Sequence, residues 1–178
     1  MAKQEVPGLS LAEWLVLCAI CEQSTHRFAI AALLGPDGSL GKIWRVPKAT
    51  VHRAAERLEK LGLIRMVGER HSPHGPPLSL LAATPAGRNA SAQWLNTPVA
   101  HTRDIRSELM VKLALLDRAG SDPQPLLLAQ QMQLAPIAAA LSERAHASSG
   151  LERTVALWRH EALSATMRFL AGLSGVTS

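Results

Sequence analysis

"KIWRVPKATVHRAAERLEKLGLIRMVGER", residues 42–70, decides the fold. Pro47 suits the first turn of a helix, where its missing N–H has no intrahelical partner to lose. From residue 47 to residue 61 the apolar positions are Val51, Ala54, Ala55, Leu58 and Leu61. That is i, i+3, i+4, i+7 spacing, which gives the helix one stripe to bury and one face to leave in solvent. Gly62 is a natural stop, and LIRMVGER, residues 63–70, reads as a strand. The same stretch holds eight cations and three anions, so its net charge equals the +5 of the whole 178-residue chain. A focused basic patch is the expected footprint of a polyanionic partner. The alternative is a solvated helix face balanced by neighbouring acids.

The flanking sequence supplies the rest of a small domain. On the N-terminal side, SLAE at 10–13 is a capping box, with Ser10 accepting from an early helical N–H and Glu13 reaching back. Leu9 and Trp14 stand where a hydrophobic staple would put them, and the helix runs to about Cys21. A short helix over residues 26–34 follows. GPDGSLG at 35–41 is loop chemistry, and IWRV at 43–46 is expected to form a short strand. On the C-terminal side, HSPHGPP at 71–77 is a tight tip, and LSLLAA at 78–83 returns as a second strand. Thr84 and Pro85 then cap and open a helix to about Leu95. Helix, helix, basic helix, strand, turn, strand, helix is the layout of a winged helix-turn-helix module.

Pro98 marks the expected boundary, giving a winged-helix DNA-binding domain over 1–97 and a helical dimerisation domain over 98–178. The second domain is expected to hold helices at about 102–118, 122–147 and 151–173. The fold class is therefore mainly α with a small β-ribbon.

A wheel at about 100° per residue places Ala49, His52, Arg53, Glu56 and Lys60 opposite the apolar stripe, with Thr50 and Arg57 on its flank. A helix entering the major groove reaches bases with its N-terminal residues. Lys48, Thr50, His52 and Arg53 are thus the candidates nearest DNA. Arg53 has the fork that suits guanine or a phosphate, Lys48 suits a phosphate, and small Ala49 permits close approach. Arg57 and Lys60 continue the basic face. Glu56 is expected to pair with Lys60 at i+4, and Glu59 with a neighbour. In the wing, Arg70, His71 and His74 are placed to touch backbone phosphates. Two imidazoles without further ligands make no metal site.

Two seams mark the C-terminal helices. Leu151, Val155, Trp158, Ala162, Ala165 and Phe169 step by four, three, four, three and four. Leu127, Gln131, Leu134, Ala138, Leu141 and Ala145 step in the same way, with one polar interruption. We read these as an intermolecular seam; packing within one chain is the alternative. A two-fold dimer would present two basic helices about one DNA turn, roughly 34–36 Å, apart.

Several function classes fall away. The chain has four Trp, two Phe and no Tyr, too few aromatics for a platform on which single-stranded bases stack. Cys18 and Cys21 have C-x-x-C spacing but lie inside an apolar helix with no second pair, so they read as core thiols. Seven histidines and two cysteines form no nucleophile–base arrangement, and no phosphate-binding glycine loop is present. No enzyme activity, cofactor or metal is expected. No apolar run reaches the length of a membrane span, and the N-terminus lacks a secretory pattern, so the cytoplasm is the expected location. Trp14, Trp44, Trp94 and Trp158 are candidates for a ligand cavity or, as such residues more often are, for packing anchors.

The motifs SLAEWLVLCAI, THRFAIAALL, GKIWRVPKATVHRAAERLEKLGLI and LAATPAGR occur in the order and spacing of a known family. Together with RDIRSELMVKLALLDRAG they resemble the PadR family of bacterial transcriptional regulators. The family often has His-Gly-Tyr where this chain has His26, Arg27 and Phe28. It often has Val-Tyr-Arg where this chain has Val51, His52 and Arg53. The resemblance implies a homodimeric repressor of double-stranded DNA whose C-terminal helices dimerise. It also implies a small-molecule effector, since some members release DNA on binding aromatic or drug-like compounds. A winged-helix module that binds protein rather than DNA is the competing reading.

Overall fold

The computed structural model describes residues 8–71 and 77–175. The wing tip at 72–76, including His74, lies outside the described residues. The element order is α1 Leu11–Glu22, α2 Arg27–Leu33, α3 Lys48–Lys60, β1 Ile64–Arg70, β2 Leu78–Ala83, α4 Pro85–Asn96, α5 Met110–Arg118, α6 Gln124–Ala147 and α7 Gly150–Gly175. A 3-10 turn at Thr102–Asp104 and a π-helical turn at Ile105–Leu109 lead into α5. The architecture is a helical fold with one two-stranded antiparallel ribbon, as the sequence predicts.

The chain divides into two compact units, one of residues 1–95 with 110–119, the other of 96–109 with 120–178. This division differs from the expected single cut at 97/98 in placing residues 110–119 with the first unit. Residues 110–119 belong with the first unit because Val111 and Leu115 are buried in its core beside Trp94.

The core of the first unit explains why α1 is apolar all round. Residues 14–20 of that helix are all buried, as befits a helix covered on every side. Val51, Ala54, Ala55 and Leu58 of α3 are buried in the same cluster. Trp14 and Trp94 stack at 5.0 Å between ring centroids, 7° from parallel, which assigns both to packing. The Lys112 ammonium lies 4.7 Å from the Trp94 centroid, so a buried lysine meets a ring face. Cys18 is buried with its Sγ 3.2 Å from Ser91 Oγ, and burial pushes its thiol up to about 12. Such a thiol is a core residue rather than a redox centre.

Residues 43–46 do not form the expected strand; they belong to the turns that lead into α3. Val46 instead donates to Leu34 O at 3.0 Å. The third pairing comes from Thr25, which exchanges backbone hydrogen bonds with Leu81 at 3.0 and 2.8 Å. Leu81 thus pairs with Thr25 on one side and Met66 on the other. β1 and β2 run from Ile64↔Ala83 to Arg70↔Leu78, with Val67 as the extra residue of a bulge between Met66 and Gly68.

The turn from α3 into the ribbon depends on two glycines. Gly62 takes a φ of 69°, the left-handed conformation that only glycine adopts freely. At Gly87 in α4 a Cβ would run into the Leu63 carbonyl, so α4 needs a residue without a side chain there. Thr84 caps α4 as predicted, accepting from Gly87 N at 3.1 Å and donating to Gly62 O at 2.8 Å.

The capping box at Ser10 forms, with Glu13 Oε2 accepting from Ser10 N at 2.6 Å. Glu13 also receives Arg57 Nη1 at 3.0 Å, which ties the start of α1 to α3. Burial opposes ionisation of Glu13, but the Ser10 hydrogen bonds and the Arg57 guanidinium outweigh it and hold the carboxyl below its usual range. Glu13→Gln is expected to cost about 1–2 kcal/mol of stability at neutral pH. A carboxyl whose folded pKa is depressed contributes stability above its unfolded value, about 4.3. That contribution is lost as pH falls through the lower folded value. Thermal melts from pH 7 down to pH 3 should show the wild-type advantage over Glu13→Gln shrinking below about pH 4.

In the second unit α6 packs along α7. Gln130 is fully buried, accepting from Val99 N at 2.8 Å and donating to Val99 O at 3.2 Å, which fastens the segment before the turns to α6. Gln131, the polar interruption of the seam, donates to Ser174 Oγ at 3.3 Å across the hairpin.

Candidate nucleic-acid interface

α3 carries the site. Its buried stripe faces α1 and α2, and its outer face presents Lys48, Ala49, Arg53, Glu56, Arg57, Glu59 and Lys60 as exposed residues. Thr50 and His52 are half-buried. Arg53 Nη2 donates to Thr50 Oγ1 at 3.3 Å, so the guanidinium lies back along the first turn. No side chain caps the N-terminus of α3, no acid lies in its first turn, and Lys48 adds a further positive charge. Unpartnered amides and the positive end of the helix dipole suit an anion there.

The charges sort in a way the sequence did not reveal. Glu56 and Glu59 turn toward α2, where Arg27 lies 4.0 Å from Glu56 and 3.7 Å from Glu59. This replaces the expected Glu56–Lys60 pair. Arg57, expected on the DNA face, also pairs with Glu13 at 3.0 Å and donates to Gly8 O at 3.3 Å, so its guanidinium has a structural partner within the chain. Among the described residues, Lys42, Arg45, Lys48, Arg53, Lys60, Arg65 and Arg70 have no carboxylate within ion-pairing distance. Two of the three acids of this stretch, Glu56 and Glu59, are drawn to an arginine on another helix, while its cations stay exposed.

Arg70 ends β1 and is exposed, as is His71. His74, the third residue expected to act from the wing, lies outside the described residues.

One residue escaped the sequence reading. Phe28, in the first turn of α2, is 47% exposed. Its ring lies under the Lys48 ammonium at 4.5 Å and meets the His52 ring edge-on at 5.7 Å. No local pattern predicts a contact between residues twenty and more apart; only the packing of α2 on α3 creates it.

In the second unit, the six residues of the predicted α7 seam are all exposed. Leu151 is 79% and Trp158 70% exposed; Val155 and Phe169 are also open to solvent. Of the α6 residues expected in the seam, Leu127 and Leu134 are buried within the single chain and Leu141 is half-buried. A cleft of about 300 Å³ lies on this hairpin, lined by Leu141, Arg144, Val155 and Arg159 among others. No tryptophan lines it. A smaller cleft of about 170 Å³ in the first unit lies beside the Glu22–Arg118 ion pair, whose closest approach is 2.8 Å.

The chain is similar to Bacillus subtilis PadR. The structure of that protein in complex with operator DNA aligns over 95% of this chain and 100% of its own, with 12% identity and a TM-score of 0.48. Its complex with p-coumaric acid aligns over 98% of each chain, with 16% identity and a TM-score of 0.41. A third PadR structure covers 99% of this chain and 98% of its own, with 15% identity and a TM-score of 0.42. No family model matches the sequence, and no curated protein does. No helix among the described residues is long and apolar enough to cross a membrane.

Proposed function

We propose that this chain is a sequence-specific, double-stranded-DNA-binding transcriptional repressor that acts as a homodimer. The observation that carries the reading is the outer face of α3, where Lys48, Arg53 and Lys60 are exposed with no carboxylate partner among the described residues and no side chain caps the helix N-terminus. A helix of this kind fits a major groove about 12 Å wide. Lys48 and the free amides would hold phosphate, while Arg53, with Thr50 and His52 beside it, would face base edges. Arg70 and His71 would contact the neighbouring backbone from the ribbon. Binding over a promoter would exclude polymerase, and no catalytic step is required.

Dimerisation belongs to the same proposal. The exposed α7 stripe of Leu151, Val155, Trp158 and Phe169 is the surface we assign to it. An effector, which the sequence resemblance brings in, would release DNA by favouring a spacing of the two α3 helices that no longer matches one turn of duplex.

The test is a titration with duplex DNA at several salt concentrations. With about six phosphate contacts per dimer, affinity should fall roughly 10³-fold between 50 and 200 mM salt. Binding that ignores salt over this range would remove the basic helix as its cause.

A further inference from the structure

We propose that Phe28 is a positioning residue for DNA recognition: from outside the recognition helix, its ring fixes the Lys48 ammonium and the His52 imidazole in the directions that meet the duplex. The inference rests on the DNA-binding reading of α3.

An exposed phenylalanine needs a reason. Phe28 is 47% exposed and is not part of the buried core cluster. Its ring contacts are with groups at the mouth of the site. Lys48 Nζ stands 4.5 Å above the ring. His52 meets it at 5.7 Å and 81° between planes. His26, the residue that caps α2 by accepting from Ala29 N at 3.1 Å, lies 6.5 Å away. The cap holds α2 in place and so holds the ring in place.

Lys48 and His52 stand one turn apart on α3, so a single ring bridges them. The attraction between an ammonium and a ring face, and between an imidazole edge and a ring, selects one rotamer for each. Lysine otherwise has many rotamers, and a side chain that must be ordered on binding weakens affinity. A ring that orders both beforehand removes that loss. The ring does this without carrying charge, so it adds no salt dependence of its own.

The experiment uses the full chain with Phe28→Leu, Phe28→Tyr and Phe28→Trp, each also made in a Lys48→Met, His52→Ala background. The half-exposed site tolerates all three by size. DNA affinity at fixed salt should fall about tenfold for Phe28→Leu and within about twofold for the two aromatic replacements. In the doubly substituted background, Phe28→Leu should change nothing further. In the free protein, the His52 imidazole proton signals should carry a ring-current shift that Phe28→Leu removes and Phe28→Tyr keeps.

An equal loss from Phe28→Leu in both backgrounds would mean that Phe28 touches DNA directly, and the positioning role would be wrong. So would an aromatic replacement as damaging as leucine, or imidazole signals indifferent to Phe28→Leu. If the wild-type chain binds no duplex at all, the regulator reading fails and this inference fails with it. If it binds and Phe28→Leu alters neither affinity nor imidazole signals, only the role of Phe28 is lost.

Discussion

Replacing Lys48 and Arg53 together by glutamate is expected to abolish DNA binding, lowering affinity by roughly 10⁴-fold or more at near-physiological salt. Each lost charge-assisted contact is worth about 1.5–3 kcal/mol. A two-fold dimer loses four of them, and every 1.4 kcal/mol is about a tenfold change. The reversed charges then repel the phosphates as well. Both side chains are exposed and outside the buried stripe, so the melting temperature and the oligomeric state should stay near wild type. Fluorescence anisotropy for DNA and sedimentation for the dimer measure the two separately. Unchanged DNA affinity would transfer the function to a protein partner, and the exposed Trp44, Met66 and Val67 of the same unit would be the first surface to test.

The second large effect concerns α7. Leu151→Glu with Trp158→Glu should convert the proposed dimer to a monomer at micromolar concentration while leaving the helical content intact. Tryptophans at the centre of an interface contribute about 2 kcal/mol or more each, and a two-fold interface counts each substitution twice. DNA affinity should fall in parallel by about 10²–10⁴-fold, because the second half-site would lose its effective concentration. A wild-type chain that is monomeric at micromolar levels would remove both the dimer and the half-site spacing it implies.

The elements of the first unit were legible because local rules and packing agree in them. The capping box at Ser10, the stripe of α3, Gly62 as a stop and Thr84 as a cap each stand where the sequence places them. What was not legible involves competition between equal patterns or contacts across the fold. On α7, Ala156, His160, Leu163, Met167, Leu170 and Ser174 step by four, three, four, three and four, and these form the buried or half-buried side. The seam expected from the sequence has the same rhythm five residues earlier, which puts it on a different face of the helix, so periodicity alone could not say which stripe the hairpin would use. On α6 the expected stripe proved to be the one used inside the chain, which is why Leu127 and Leu134 are buried. Arg57 looked like a flank residue until Glu13, forty-four positions away, took its guanidinium. The IWRV segment has strand-like composition, but Thr25 occupies the edge of β2 that it would have needed. That residues 110–119 pack with the first unit was not legible either, because the apolar face of α5 gives no sign of which neighbour will cover it.

Arg27 makes the electrostatic character of the domain partly adjustable from behind. Its side chain is 28% exposed, and both acids of α3 orient toward it. Were that anchor a neutral side chain, Glu56 and Glu59 would swing free and dim the positive potential around Arg53 and Lys60, with every groove-facing residue intact. On the proposed reading, substitutions at Arg27 would therefore grade how strongly DNA is held, giving natural variants a way to tune occupancy without altering the residues that face the bases.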